Sequence, residues 1–298
     1  MDQQKQTLDY FKSHAREWND QASQKTDLNT YSTIENRHNG VFEVMKNYPS
    51  GSALLDVGCG TGQLVIEASQ RGWTSLGVDF AKEMIEISEK NNKESKAHAK
   101  FKCDSIFKVD LESENFDVIS AQGFIEYISL EQLDEFLDIA HNALKKGGAI
   151  ALGSRNRLFN MHSLNEFSDL ERALGTLDKL ITESIILQSA KTQTEALNSL
   201  SALRYTYEQP TKHPLTGVLV ETRYQFSPAD LASKLAQHSF APKNIFPVHF
   251  HPLPISMLSE EVPSLIHNHL AQLVSETFIR SHKFVPLSSS FVIEATKI

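Results

Sequence analysis

Between residues 53 and 154 the chain alternates short apolar runs with stretches whose apolar residues recur at helical spacing. Residues 53–57 (Ala-Leu-Leu-Asp-Val) form an apolar run that opens into glycines, and 63–70 follow with Leu64, Val65 and Ala68 on one side. The pattern then repeats: 74–78 reads as a second strand, 82–90 as a helix carrying Met84, Ile85 and Ile87, 100–103 as a third strand and 116–120 as a fourth. In 131–146, Leu133, Phe136, Leu137, Ala140 and Leu144 fall at i, i+3, i+4, i+7 and i+11, the period of an amphipathic helix. Gly147-Gly148 ends it before a fifth strand at 149–152. Strands and helices alternating in this way predict βαβ units and a mostly parallel sheet.

After Ser154 the rhythm breaks for about 70 residues. Ser163 with Glu166 three residues later reads as a capping box, and Phe167, Leu170, Leu174, Leu177 and Ile181 continue a helical face. A second helical piece is expected over 185–203, and a hairpin between 203–207 and 218–223 around Pro210, Pro214 and Gly217. Ser227-Pro228-Ala229-Asp230 is a helix start, with 240–250 and 289–295 as closing strands and a helix over about 263–278 between them. The sheet can be completed only by strands after residue 240, so 53–298 reads as one α/β domain interrupted by an insertion at 155–226. Residues 1–52 precede it, with Phe11 and Trp18 seven apart on one helix face.

Composition narrows the class of partner. The 298 residues carry 29 Lys+Arg and 37 Asp+Glu, a net charge of −8 with no basic block, which disfavours a nucleic-acid partner. Forty per cent hydrophobic residues are enough for a real core, whereas Cys59 and Cys103 alone build neither a disulfide framework nor a cysteine metal cluster. The first twelve residues lack the apolar segment of a signal peptide and no run approaches 18 apolar residues. A cytoplasmic protein without membrane insertion is expected.

The chemistry concentrates in Leu54-Leu55-Asp56-Val57-Gly58-Cys59-Gly60-Thr61-Gly62, a strand passing through three glycines into a helix. Glycines there permit a sharp turn and let a ligand touch the backbone. The order Gly58-x-Gly60-x-Gly62 departs from the G-x-G-x-x-G of dinucleotide sites, which disfavours a nicotinamide oxidoreductase. Asp56, two residues before the first glycine, suits a cationic ligand better than a phosphate. Asp79 lies 79 − 56 = 23 residues further on, at the end of the second strand, where a carboxylate can accept from both hydroxyls of a ribose.

Together with Gly77-Val78-Asp79, Cys103-Asp104, Phe116-Asp117-Val118-Ile119 and Leu144-Lys145-Lys146-Gly147-Gly148, the glycine motif resembles the class I S-adenosylmethionine-dependent methyltransferases. Within that superfamily, 53–154 is most similar to small-molecule O-methyltransferases of ubiquinone-biosynthesis type. The resemblance implies a Rossmann-like seven-stranded, mostly parallel sheet with helices on both faces, an N-terminal helical lid, and S-adenosylmethionine as cofactor. It places Gly58 and Gly60 at the methionine end, Asp79 on the ribose and Asp104 on the adenine amino group, with Asp56, Cys59, Phe80 and Ser105 as further cofactor contacts. Met84 falls near the adenine face, Gln122 near the methionyl moiety and Arg37 near its carboxylate.

Methyl transfer needs alignment, exclusion of water and, for a hydroxyl acceptor, a base. The candidate bases are His249 and His251 at the end of a predicted strand and His162 after the fifth strand; Tyr127 stands where many relatives carry histidine. Arg155, Asn156, Arg157, Asn160, Arg223 and Tyr224, together with Tyr127, are candidate contacts to a small polar acceptor, a sugar derivative among them. The alternatives are a quinone or phenol O-methyltransferase and a cofactor-binding regulatory protein without turnover. Ser120-Ala121-Gln122-Gly123-Phe124 lacks the Pro-Pro-aromatic motif of nucleic-acid amino methylases. No metal is expected, because His267 and His269 at i and i+2 do not converge on a helix.

Overall fold

The computed structural model describes residues 3–27, 30–205, 225–258 and 261–298. Its centre is a seven-stranded sheet in the order β3-β2-β1-β4-β5-β7-β6. The strands are β1 (Ala53–Val57), β2 (Thr74–Asp79), β3 (Lys100–Cys103), β4 (Phe116–Gln122), β5 (Leu144–Arg155), β6 (Phe240–Phe250) and β7 (Ser288–Lys297). Strands β1 to β5 pair in parallel, and β7 runs antiparallel between β5 and β6. This is the sheet that the sequence resemblance implies.

Both faces of the sheet are buried, which is why its central strands are almost continuously apolar. Leu54, Val118, Ala149 and Ala151 pack with Val41, Phe42, Val44 and Met45 of α2 (Thr33–Met45). On the opposite face Leu55, Ile119, Ile150 and Leu152 meet Leu133, Phe136, Leu137 and Ala140 of α5 (Leu130–Ala143). The same core takes in Leu180 and Leu187 of α8 (Leu177–Ser189), Ala196, Leu197 and Leu200 of α9 (Gln193–Leu203), and Leu231 and Leu235 of α10 (Pro228–Gln237). The segment after β5 therefore shares the sheet's core.

The remaining helices are α1 (Gln3–Ser23), α3 (Gln63–Gln70), α4 (Lys82–Glu94), α6 (Asn160–Ser163), α7 (Glu166–Ala173) and α11 (Glu261–Thr277). Helix α1 lies across α4, with Phe11, Ala15 and Trp18 packed against Ala81 and Met84. Asn19 Oδ1 accepts from Gln63 at 3.3 Å and Asn91 at 2.8 Å, fastening α1 over the glycine turn.

Local boundaries depart from the sequence pattern where a nearby group outcompetes it. Helix α7 is capped by Asn165 rather than Ser163: Leu164 takes φ +50°, and Asn165 and Ser168 form the reciprocal box. Ser163 donates instead to the Asn160 carbonyl. Thr192 caps a new helix, dividing the expected 185–203 stretch after Ser189. Helix α5 ends at Ala143, because Leu144 already pairs with Phe116 in the sheet. The expected hairpin strand at 218–223, with Arg223, and the neighbouring Tyr224 lie outside the described residues.

Candidate active site

The C-terminal ends of β1, β2, β3, β4 and β5 open into one cavity of about 760 Å³, where ligand crevices of parallel sheets form. The glycine turn makes its floor. Gly58, Gly60 and Gly62 have φ of +69°, +52° and +88°, a region L side chains rarely adopt. A Cβ on Gly62 would also lie 2.8 Å from the Phe101 ring and from Ser88, while space beside Gly60 is open.

Asp79 ties this turn to β2. Gly60 N–H donates to its Oδ2 at 3.0 Å and Ala81 N–H to its Oδ1 at 2.9 Å. Each carboxylate oxygen has a second acceptor site, so two main-chain bonds leave capacity for two hydroxyls. Asp104 stands at the end of β3, its Oδ1 taking Ser105 N–H at 2.8 Å, and with Phe80, Met84 and Ser105 lines the adjoining wall.

At the other end of the slot three buried polar atoms face no hydrogen-bond partner among the described residues: Asp56 Oδ1, Gln122 Oε1 and Arg37 Nε. All three residues line the cavity. An acid, an amide oxygen and a guanidinium nitrogen are the complement of an amino-acid end, with its ammonium and carboxylate. Gln122 is seated by its amide donating to Ser120 Oγ and the Ala151 carbonyl, and Gly153 makes room for it, since a Cβ there would fall 2.0 Å from Oε1.

Burial raises the acids of this slot. Loss of water pushes Asp56 up to about 7, offset by a bond from Ser120 and reinforced by Asp79. Asp79 rises to about 6 by the same desolvation, opposed by the main-chain donors of Ala81, Gly60 and Phe80. Burial also pushes the Cys59 thiol upward, so it sits in the wall as a neutral packing group.

In the cavity that Asp56, Gln122 and Arg37 line, Glu126 is 2% exposed and holds two arginines: Arg37 at 3.2 Å, and Arg155 through its Nε at 3.2 Å and its main-chain N–H at 2.7 Å. Arg37 also donates to Ser290 at 2.7 Å. In the sequence Glu126 carries no signal beyond its place next to Tyr127. Phe11, Trp18, Phe107, Phe124, Tyr127 and Phe159 line the cavity, with Ile34 and Ile255. Phe11 and Tyr127 meet edge to face at 5.3 Å.

Several expected acceptor contacts have other partners. Asn156 is 1% exposed and spends its amide on the Val285 and Ser288 carbonyls at 2.8 Å each, so it pins β7 although it borders the cavity. Arg157 grips Glu171 at 2.9 and 3.0 Å, and Asn160 joins the same carboxylate at 2.8 Å. The long-range partner Glu171, on α7, captures them. Arg223 and Tyr224 lie outside the described residues.

The three candidate bases do not line the cavity. His249 and His251 stand behind its wall, where burial and mutual repulsion push them down to about 3 and about 2, and burial lowers His162 as well. The histidine that does line it is His38, next to Arg37 on α2, held down to about 4 by burial and by the cations Lys25 and Arg37. Only its adjacency to Arg37 could have marked it in the sequence.

Residues 54–148 match the family described as "Methyltransferase domain". A ubiquinone biosynthesis O-methyltransferase from Idiomarina loihiensis is 30% identical over 125 residues, 42% of this chain and 47% of that protein. One from Pelagibacter ubique is 24% identical over 216 residues, 67% of this chain and 88% of that protein. The chain thus spans about half the length of the first curated relatives it matches. Among solved structures, the magnesium protoporphyrin IX methyltransferase of Synechocystis with bound S-adenosylhomocysteine superposes at TM-score 0.56, 13% identity and full coverage of both chains. The [4+2]-cyclase SpnF superposes equally at 0.56, with 13% identity over 98% of this chain and 95% of that one. At these identities the likeness is one of fold, and chemistry has to be read from the site.

Proposed function

From the class I S-adenosylmethionine-dependent methyltransferase domain that this chain carries, we propose that the protein methylates a hydroxyl oxygen of a small acceptor with an aromatic body and a polar end. The observation that carries the reading is that Asp56, Gln122 and Arg37, each with a buried polar atom lacking a partner among the described residues, line one cavity with Asp79 and Asp104. They match the functional groups of the cofactor from its amino-acid end to its adenine.

In this reading Arg37 pairs the methionine carboxylate, and Asp56 and Gln122 take its ammonium. Asp79 accepts the ribose hydroxyls and Asp104 the adenine amino group, with Phe80 and Met84 against the ring. When bound, the cofactor supplies an electrophilic methyl group on a sulfonium. The protein's own task is alignment and dryness. Helix α1 serves as the lid, Phe11 and Trp18 closing the slot against water.

The aromatic lining favours the phenol or quinol alternative over the small polar acceptor, such as a sugar derivative, that the sequence puts first. The ubiquinone-type relatives support the same choice. With Arg37 given to the methionine carboxylate, Arg155 and Glu126 remain on the wall as a donor and an acceptor for a polar substituent. Among the described residues His38 is the histidine on the wall; burial and the cations Lys25 and Arg37 hold it down to about 4, uncharged at neutral pH but a weak proton acceptor, so in this reading alignment and dryness carry most of the rate.

Incubation of the full chain with S-adenosylmethionine and matched panels of phenols, catechols and sugars tests this by S-adenosylhomocysteine release and product mass. Methylation confined to aromatic hydroxyls is expected. Turnover of sugars alone would overturn the acceptor assignment, and cofactor binding with no turnover across broad panels would favour a regulatory protein.

A further inference from the structure

Three histidines from two successive elements, the end of β6 and α11, meet behind the acceptor wall. His249 and His251 stand at the end of β6 and His267 on α11, and one ring nitrogen from each lies within 4.8 Å of the others. His249 Nε2 and His267 Nε2 are 3.1 Å apart, close to the roughly 3.3 Å that separates two nitrogens on a tetrahedral zinc ion. The His251 ring centroid is 4.3 Å from each of the other two, closing the triangle.

The surroundings of His249 are those of a metal-binding imidazole. Its Nδ1 lies 3.2 Å from Ser289 Oγ and 3.4 Å from Thr33 Oγ1, so a proton carried on Nδ1 leaves the Nε2 lone pair directed at the cluster. Tyr31 stacks on the ring at 4.6 Å and 10°, and its hydroxyl accepts the His249 main-chain N–H at 2.9 Å. The backbone there takes φ +59°, unusual for a side-chain-bearing residue, at the point where β6 delivers two histidines into one cluster.

His251 is 4% exposed, and neither of its ring nitrogens has a partner among the described residues. His267 is equally buried, with Nδ1 unpartnered. Buried polar atoms are ordinarily bonded, and a histidine cluster serving only as core would be expected to satisfy His251. Imidazoles without thiolates suit zinc and its first-row neighbours.

We propose that His249, His251 and His267 form a binding site for a zinc-class divalent cation, with a fourth position for water or another oxygen ligand. The cation ties α11 to the end of β6. It also stiffens the acceptor wall: Thr33 and Ser289, which bond His249, and Phe159, whose ring lies 4.6 Å from His251, all line the cavity. The site stands whether or not the cavity methylates an aromatic hydroxyl.

The test is metal content and Co²⁺ titration of the full chain after chelator treatment, with Zn²⁺ competition. One zinc per chain and the visible bands of tetrahedral, nitrogen-ligated cobalt are expected. His251→Ala and His267→Ala should each weaken binding at least about 100-fold, and Ser289→Ala about 10-fold. X-ray absorption of the zinc-loaded wild type reads three imidazoles directly, even where a variant folds poorly. Failure of the wild type to bind either ion at sub-millimolar concentration, or binding that survives both histidine substitutions in folded protein, would overturn the proposal.

Discussion

Gly60 N–H donates to Asp79 Oδ2 at 3.0 Å, so the turn that follows β1 is held in place by the carboxylate that ends β2. Two strands that pair through Val57 and Val78 are thus joined again at their tips, and the cavity floor is formed before any ligand arrives.

Asp79→Ala removes this bond, the one from Ala81 and the acceptor proposed for the ribose. Losing hydrogen bonds to a charged group of this kind costs about 2–3 kcal/mol, so affinity for S-adenosylhomocysteine should fall by about 30- to 160-fold. Calorimetric titration checks it, and an unchanged affinity contradicts the ribose assignment.

The raised acids give the ligand-free protein a defined pH dependence. Asp56 at about 7 and Asp79 at about 6 hold protons that the unfolded chain, with an ordinary value of 3.8, releases. Their effect on stability is therefore most favourable below about pH 4 and declines as pH rises to about 7, by at most about 1.4 kcal/mol per pH unit for each group. Urea denaturation at pH 5 and pH 8 should show a larger fall for wild type than for Asp56→Asn. Equal falls would mean that Asp56 does not titrate in this range.

An ammonium at Asp56 favours the ionised acid. Affinity for S-adenosylhomocysteine should accordingly rise between pH 5 and pH 8 by more in wild type than in Asp56→Asn. Calorimetric titration at the two pH values measures it, and an equal rise in both would place Asp56 away from the ammonium.

Glu126→Gln leaves Arg37 and Arg155 facing each other without their shared carboxylate. Because Glu126 is 2% exposed and Arg37 nearly enclosed, a loss of about 2–4 kcal/mol is expected in denaturant unfolding. A variant as stable as wild type would show that this ion-pair cluster contributes little.

Gly62→Ala tests the glycine turn alone. The positive φ and the 2.8 Å approach of an added Cβ to Phe101 and Ser88 should together cost about 1–3 kcal/mol. Thermal unfolding reads it, and an unshifted midpoint would mean that the turn has another accessible shape.

The strands, the glycine turn and Asp79 were legible because their signals are local: an apolar run, a break, and an acid at a strand end. What escaped the sequence depends on partners far along the chain. Asn156 and Asn160 do border the cavity, but their amides, like the guanidinium of Arg157, are held by groups further along the chain: Glu171 of α7 for Arg157 and Asn160, and the Val285 and Ser288 carbonyls for Asn156. His267 and His269 fail as a pair on one helix, yet β6 carries His249 and His251 to His267 from 16 and 18 residues away. Glu126 was hidden because its meaning lies in Arg37, 89 positions earlier.

The central claim is that the cavity at the strand ends is built for S-adenosylmethionine, and the most direct measurement is calorimetric titration of the full chain with S-adenosylhomocysteine and, separately, with NAD. One S-adenosylhomocysteine per chain, with no heat from NAD, is the expected result; saturable binding of NAD and none of S-adenosylhomocysteine would contradict it.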